Sequence, residues 1–177
     1  MLSNLLDLER LKRGVVEACP EPTNVGELVH RMVAEADFLS ERDVRVRADP
    51  IIATIDGAKV ERIVENLLVN AAKHTPVGTP IWVGVTADDG GVMIVVEDSG
   101  PGVPVKLREA IFESFSQGPG DQSSPGAGIG LSLVARFTEL HGGRAWVQPR
   151  EGGGASFRVW LPSADLSGSA LDQRSKA

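Results

Sequence analysis

The chain has 177 residues, 42% of them hydrophobic and 24% charged, with a net charge of −6, a profile that suits one globular core of ordinary size. The acidic balance argues against general binding to nucleic acid or anionic membrane. No apolar run approaches the roughly 20 residues needed to cross a bilayer, so this segment is expected not to insert. Cys19 is the only cysteine and Asp7 and Glu9 interrupt the N-terminal leucines, so neither an internal disulfide nor a leader peptide is expected, in keeping with a reducing cytoplasm.

Residues 2–12 read as a leucine-rich helix stopped at Gly14, with leucines at 2, 5, 6, 8 and 11 giving it too much apolar surface for a free helix. Cys19-Pro-Glu-Pro22 reads as a linker. Thr23 or Asn24 is expected to cap a helix reaching about Ser40. Short strands follow at 44–48 and 51–55, separated by Asp49-Pro50. From Val60 to His74 the period is helical, with Val60, Ile63, Val64, Leu67 and Ala71 sharing one face.

Asn66, Asn70 and Lys73 form a stripe along the edge of that face. Asparagine is a poor helix-interior residue because it competes for backbone hydrogen bonds. Such a stripe is either a solvated flank or a ligand edge. A carboxamide oxygen suits a hard cation such as Mg²⁺, and the Lys73 ammonium suits phosphate. Strands at 81–87 and 93–97 follow, joined by the hairpin signal Asp88-Asp-Gly-Gly91.

Asp98-Ser-Gly-Pro-Gly102 then fixes a carboxylate at the start of a turn of small residues, and Gly126-Ala-Gly-Ile-Gly-Leu131 opens into a helix over 131–140. Glycine lets backbone approach a ligand closely, and a helix N-terminus offers unpaired NH donors to phosphate. The pair reads as an adenine reader and a phosphate cradle. Leu131 stands where a dinucleotide motif needs its third glycine, and neither a P-loop nor the protein-kinase signatures occur. Between the clusters, 101–125 is rich in Gly, Pro and Ser. A closing hairpin is expected at 144–148 and 155–161, and 163–177 has a tail's composition.

Four stretches in order, NLLVNAAKHT (66–75), EDSGPGVP (97–104), IFESF (111–115) and GAGIGLSLVARFTELHGG (126–143), resemble the N, G1, F and G2 boxes of bacterial sensor histidine kinases, in their ATP-binding catalytic domain. That resemblance implies the Bergerat fold: α+β, a two-layer sandwich with a mixed sheet of about five strands and three helices on one face. It implies ATP and Mg²⁺ as ligands. Asn70 would hold the metal and Lys73 would contact phosphate, with Asn66 and His74 alongside. Asp98 would accept the adenine amine, with Gly100 and Gly102 lining the base. Gly126, Gly128, Ile129, Gly130 and Leu131 would meet the phosphates. Phe112 and Phe115 would be lid residues packing back on the domain.

By the same resemblance, 1–14 is the end of a dimerisation or acceptor helix, 15–22 a linker, 23–162 the catalytic domain with a mobile lid over 101–125, and 163–177 a disordered tail. The implied activity is transfer of the γ-phosphoryl group to a histidine on a dimerisation domain, in cis or on a partner chain, with a response regulator downstream. Two departures stand out. Asn66 occupies the place of the water-activating glutamate of ATP-hydrolysing relatives, and Gln117 is neutral where many histidine kinases carry a cation. None of His30, His74 and His141 has an acceptor's sequence neighbours; His141 is expected as a cation at a helix C-terminus. An ATPase, an anti-sigma-type serine kinase and a degenerate ATP-binding regulator stay open as alternatives.

Overall fold

The computed structural model describes residues 2–14, 16–113 and 129–168. Helix α1 (Leu2–Lys12) is followed by β1 (Glu21–Asn24), α2 (Val25–Glu35), β2 (Val44–Ala48), β3 (Ile51–Ile55), α3 (Gly57–His74), β4 (Ile81–Asp88), β5 (Gly91–Asp98), α4 (Gly130–Leu140), β6 (Arg144–Pro149), β7 (Ala155–Pro162) and β8 (Ser167–Gly168). A five-stranded sheet runs β2-β4-β5-β7-β6, with β2 parallel to β4 and the other pairs antiparallel. A smaller antiparallel sheet runs β1-β3-β8.

Period-2 alternation puts Val83, Val85, Ile94, Val96, Phe157 and Val159 on the buried face of the large sheet. Helices α2, α3 and α4 cover that face, so the expected mixed sheet with three helices on one side is found. Helix α3 buries Val60, Ile63, Val64, Leu67, Leu68 and Ala71; each of the Val, Ile and Leu side chains contributes about 1.5–3 kcal/mol on leaving water. The hairpin β4–β5 turns through Asp89 and Gly90 at φ 38° and 72°, the conformation its Asp-Gly sequence favours.

A buried polar knot fixes how α3 and α4 meet. Asp56 caps α3, its carboxylate accepting from Lys59 N (3.1 Å), Lys59 Nζ (2.5 Å) and Cys19 N (2.9 Å). Its backbone N–H donates to His141 Nε2 (3.1 Å), which requires the other ring nitrogen, Nδ1, to donate to Phe137 O (2.7 Å). The His141 ring thus ties the N-cap of α3 to the last turn of α4. Burial pushes the Asp56 carboxyl up, but the Cys19 and Lys59 contacts together outweigh it and hold its pKa below the ordinary value.

Four expected boundaries are corrected. The linker does not extend to residue 22, because Glu21 and Pro22 already pair with Ile55 and Thr54; β1 is an edge strand, where a proline is tolerated. Helix α2, capped by Asn24 (Oδ1 from Glu27 N, 3.2 Å), ends at Glu35 rather than Ser40, and a 3-10 turn over Asp37–Leu39 drops Leu39 into the core. The tail does not begin at 163: Ser163 Oγ accepts from Thr54 N (2.9 Å), and Ser167 and Gly168 pair with β3. The expected lid is packed in its first half, with 3-10 turns at Val105–Leu107 and Ala110–Phe112 and with Val103 and Ile111 against the core. Phe112 meets Phe157 edge-on, 6.5 Å between centroids. Phe115, Gln117, Gly126 and Gly128 lie outside the described residues.

Candidate functional site

Helix α3 is the spine of the site. At its C-terminal end the Asp98 turn leans directly on it: a Cβ on Gly100 would stand 2.7 Å from His74 O and 2.9 Å from Asp98 Oδ1, so only glycine fits there. Gly102 adopts a left-handed φ of 73° beside Gly154 O. Asp98 is 3% exposed, and its Oδ1 accepts from Gly100 N at 2.8 Å. Burial raises its pKa above the ordinary carboxylate value; the Gly100 and Ala155 N–H groups and the charges of His74 and Arg150 oppose that rise without cancelling it. A buried acceptor with few other partners is what recognition of a ligand amine requires.

The middle of α3 meets the start of α4 at Asn66. A Cβ on Gly130 would lie 3.0 Å from Asn66 Oδ1, so the helices touch at these two residues. No side chain caps α4: Ile129 stands at its N-cap, and Ile129 O accepts from Ser132 Oγ (2.8 Å) and Leu133 N (3.0 Å). The amides of Gly130 and Leu131 thus open an N-terminus suited to an anion. Asn66 and His74 are about 12 Å apart along α3 at 1.5 Å per residue, a span that suits the distance from a purine to its phosphates. Asn70 is half-buried between them, and Lys73 and His74 are exposed beyond it. Of the sequence-expected residues, the structure sets Gly130 against Asn66 and Gly100 against Asp98 and His74 O, with Asn70 between them along α3.

Several contacts have no signature in the sequence. Arg42, in the loop before β2, wraps the C-terminus of α3: Nη2 donates to Ala72 O (2.6 Å), and Nη1 to Thr75 O (2.8 Å), Thr75 Oγ1 (3.1 Å) and Pro76 O (3.0 Å). A guanidinium satisfies several end carbonyls at once, and so holds the backbone against which Gly100 packs. Asn66 is itself engaged, its Nδ2 donating to Arg62 O (2.7 Å) and its Oδ1 accepting from Asn4 Nδ2 (3.2 Å). Arg62 donates to Asn4 Oδ1 (2.5 Å) and pairs with Asp7 (3.0 Å) and Glu65 (2.6 Å). Helix α1 is thereby docked against α3 at Arg62 and Asn66, with Leu8 fully buried. The Arg42 clasp and the contacts of Asn4 and Asp7 join segments distant in sequence, and no local pattern announces them.

Residues 55–165 match the family of histidine kinase-, DNA gyrase B- and HSP90-like ATPases. The chain belongs to this family. It is 36% identical over 168 residues to the sensor histidine kinase TmoS of Ectopseudomonas mendocina, covering 91% of this chain and 17% of that protein. It is 34% identical to the hybrid signal transduction histidine kinase D of Dictyostelium discoideum, covering 92% of this chain and 11% of the relative. The chain therefore spans only a small part of those relatives' length.

Among solved structures it resembles the mycobacterial sensor histidine kinase MprB (TM-score 0.72, 30% identity, 82% of this chain and 98% of that one). It also resembles full-length ShkA, solved in complex with AMPPNP (TM-score 0.77, 27% identity, 94% and 35%). The Bergerat-type ATPase fold of histidine kinase catalytic domains is thus established for this member of the family. Among the described residues no helix is long and apolar enough to cross a membrane.

Proposed function

We propose that this domain binds Mg·ATP and transfers its γ-phosphoryl group to a histidine on a separate dimerisation segment, with a response regulator as the next acceptor, in the cytoplasm. The observation that carries the reading is the course of α3 from a buried, glycine-lined carboxylate at its C-terminal end to the uncapped N-terminus of α4 against its middle at Asn66. Asp98 would accept the adenine amine while Gly100 and Gly102 let the ring lie on the backbone. Gly130 and Leu131 would present amides to the phosphates, joined by Gly126 and Gly128, and Lys73 would add charge. Asn70 has the donor type and half-buried position for the Mg²⁺ of the nucleotide, which when bound would neutralise phosphate charge.

Phosphoryl transfer asks a protein mainly to position and to neutralise, and the groove offers both. Among the described residues beside Asn70, none stands as a base for water. Asn66 spends its amide on Arg62 O and Asn4, and Glu65, half-exposed, is paired with Arg62. That favours transfer to an acceptor over hydrolysis. The proton of the attacking imidazole would pass to a group on the acceptor segment.

The test incubates the chain with Mg²⁺ and γ-labelled ATP, with and without a purified helical hairpin bearing a phosphoacceptor histidine. Acid-labile, base-stable label should appear on the hairpin alone. Label on His30, His74 or His141 of this chain, or hydrolysis at the same rate without the hairpin, would contradict the reading.

A further inference from the structure

We infer that the turn between β6 and β7 is a second support of the Asp98 site, and that Arg150 is the positioning residue that fixes this turn in place. Arg150 acts through the backbone of residues 153–155 rather than by touching the nucleotide. The inference rests on the adenine reading of Asp98, and adds to it a residue on which the choice of base depends.

The turn, Arg150-Glu-Gly-Gly-Gly154, meets the Asp98 segment by backbone alone. A Cβ on Gly154 would stand 1.8 Å from Asp98 O and 2.9 Å from Ser99 Cα, an approach open only to glycine. At the far end of the Asp98 turn, a Cβ on Gly102 would lie 3.1 Å from Gly154 O. The next residue, Ala155, pairs with Asp98 across β5 and β7, and its N–H serves the Asp98 carboxylate. Where Gly154 sits therefore sets the carboxylate, one of the N–H groups that hold it, and the glycine proposed to line the base. Yet Gly152, Gly153 and Gly154 lie at φ 86°, 96° and 104°, beyond the last β6–β7 pair, Pro149 with Ala155. Glycine is the residue with most conformational freedom to lose, so such a run keeps its place only if something holds it.

Arg150 supplies the hold. Its backbone N–H donates to Gly154 O (3.2 Å), and its own carbonyl accepts from Gly153 N (3.1 Å). Its Nη1 donates to Gly153 O (3.2 Å). The guanidinium lies 3.6 Å from the centre of the Trp82 ring and 3.7 Å from the Glu97 carboxylate. Trp82 and Glu97 are partners in register on β4 and β5, and Glu97 directly precedes Asp98. One side chain thus fastens the glycine turn to the strands that carry the site. A planar cation can lie on an aromatic ring and still donate from its edge, which an ammonium cannot do.

Arg150→Gln, Arg150→Lys and Gly153→Ala test this. A Cβ on Gly153 would meet nothing within 4 Å, but its φ resists any other residue, so that variant loosens the turn without touching charge. Affinity for ATP should fall about threefold to tenfold in each variant. GTP, which gains nothing from Asp98, should bind as in the parent, so the preference for ATP shrinks; a loss of stability alone leaves the preference of the folded molecules unchanged. Titration of the Asp98 carboxyl in the free chain, followed by carboxyl-carbon NMR, reads the same link without a ligand. Burial raises the Asp98 pKa, and the Gly100 and Ala155 N–H groups and the charges of His74 on α3 and Arg150 on this turn oppose the rise; its partners on β4 and β7, Ile81 and Ala155, are uncharged. The midpoint should therefore move up in Arg150→Gln and stay near the parent's in Arg150→Lys, which serves alone if the glutamine variant unfolds. A parent that binds ATP and GTP alike would sink the adenine reading and this inference with it. A parent that prefers ATP, with variants that keep its preference or an Arg150→Gln midpoint that does not move, would overturn this inference alone.

Discussion

The two ends of the α3 groove are built by different means. At the end proposed to hold the base, buried side chains and close backbone contacts define the shape before any ligand arrives: Asp98 is tied to Gly100, Gly100 rests on His74 O, and Arg42 fastens the residues behind it. At the end proposed to meet the phosphates the protein offers an uncapped helix and, along α3, a half-buried carboxamide. Side-chain shape discriminates, whereas amides and charge simply attract. The domain is therefore expected to choose its nucleotide at the base end and to draw most of its phosphate affinity from the other.

The largest separation of the ends should come from Asn70→Ala. Binding of Mg·ATP is expected to fall by roughly 10- to 100-fold, about 1.4–2.8 kcal/mol, while adenosine, which has no phosphates, binds as before by calorimetry. Proportional loss of both ligands would make Asn70 structural and erase the comparison.

Asp98→Asn should do the reverse. Exchanging the acceptor carboxylate for an amide is expected to weaken adenosine and ATP alike, by about 1.5–3 kcal/mol. Because the folded pKa of Asp98 is raised, its ionised form is disfavoured by folding. Stability is lost as pH rises from the ordinary carboxylate range through the raised value, and the substitution removes that loss. Thermal melts at neutral pH should show no fall in stability. Adenosine affinity of the parent should decline as pH drops through the same raised value, where the carboxylate takes a proton, and that decline should be absent in the variant. A pH-independent parent would break the acceptor assignment.

Arg42→Ala removes the clasp on the end of α3 and should cost about 1–2 kcal/mol of stability, with adenosine weakened by a smaller factor than Asp98→Asn causes. Arg42→Lys should restore stability only in part, since an ammonium cannot span the same four acceptors. Smaller again is the effect of acid on Asp56: its pKa is lowered, so its contribution is complete above the ordinary carboxylate range and is lost only as pH falls through the depressed folded value. Asp56→Asn should flatten that part of a denaturation-versus-pH profile.

How much of this was legible in the sequence follows from how far each contact reaches. The buried face of α3, the Asp-Gly hairpin, the cap at Asn24 and the alternating strands depend on neighbours within a few residues, and periodicity shows them. The Asp98 turn and the start of α4 were legible because glycine and a lone carboxylate carry their chemistry locally. The clasp of Arg42 on residues 72–76, the tie from Asp56 to His141 and the seat of Asn4 on Asn66 join distant segments. Composition likewise misled at Pro22 and Ser163, which read as linker and tail. Both instead belong to the smaller sheet's pairing, through the edge strand β1 and through the bond from Thr54 N.

The most direct measurement is a titration of the purified chain with ATP, GTP and adenosine, each with and without Mg²⁺. Adenosine should bind regardless of the metal, ATP should gain from Mg²⁺, and GTP should bind poorly in both conditions because it presents a carbonyl where Asp98 needs a donor. Equal affinity for ATP and GTP would contradict the account.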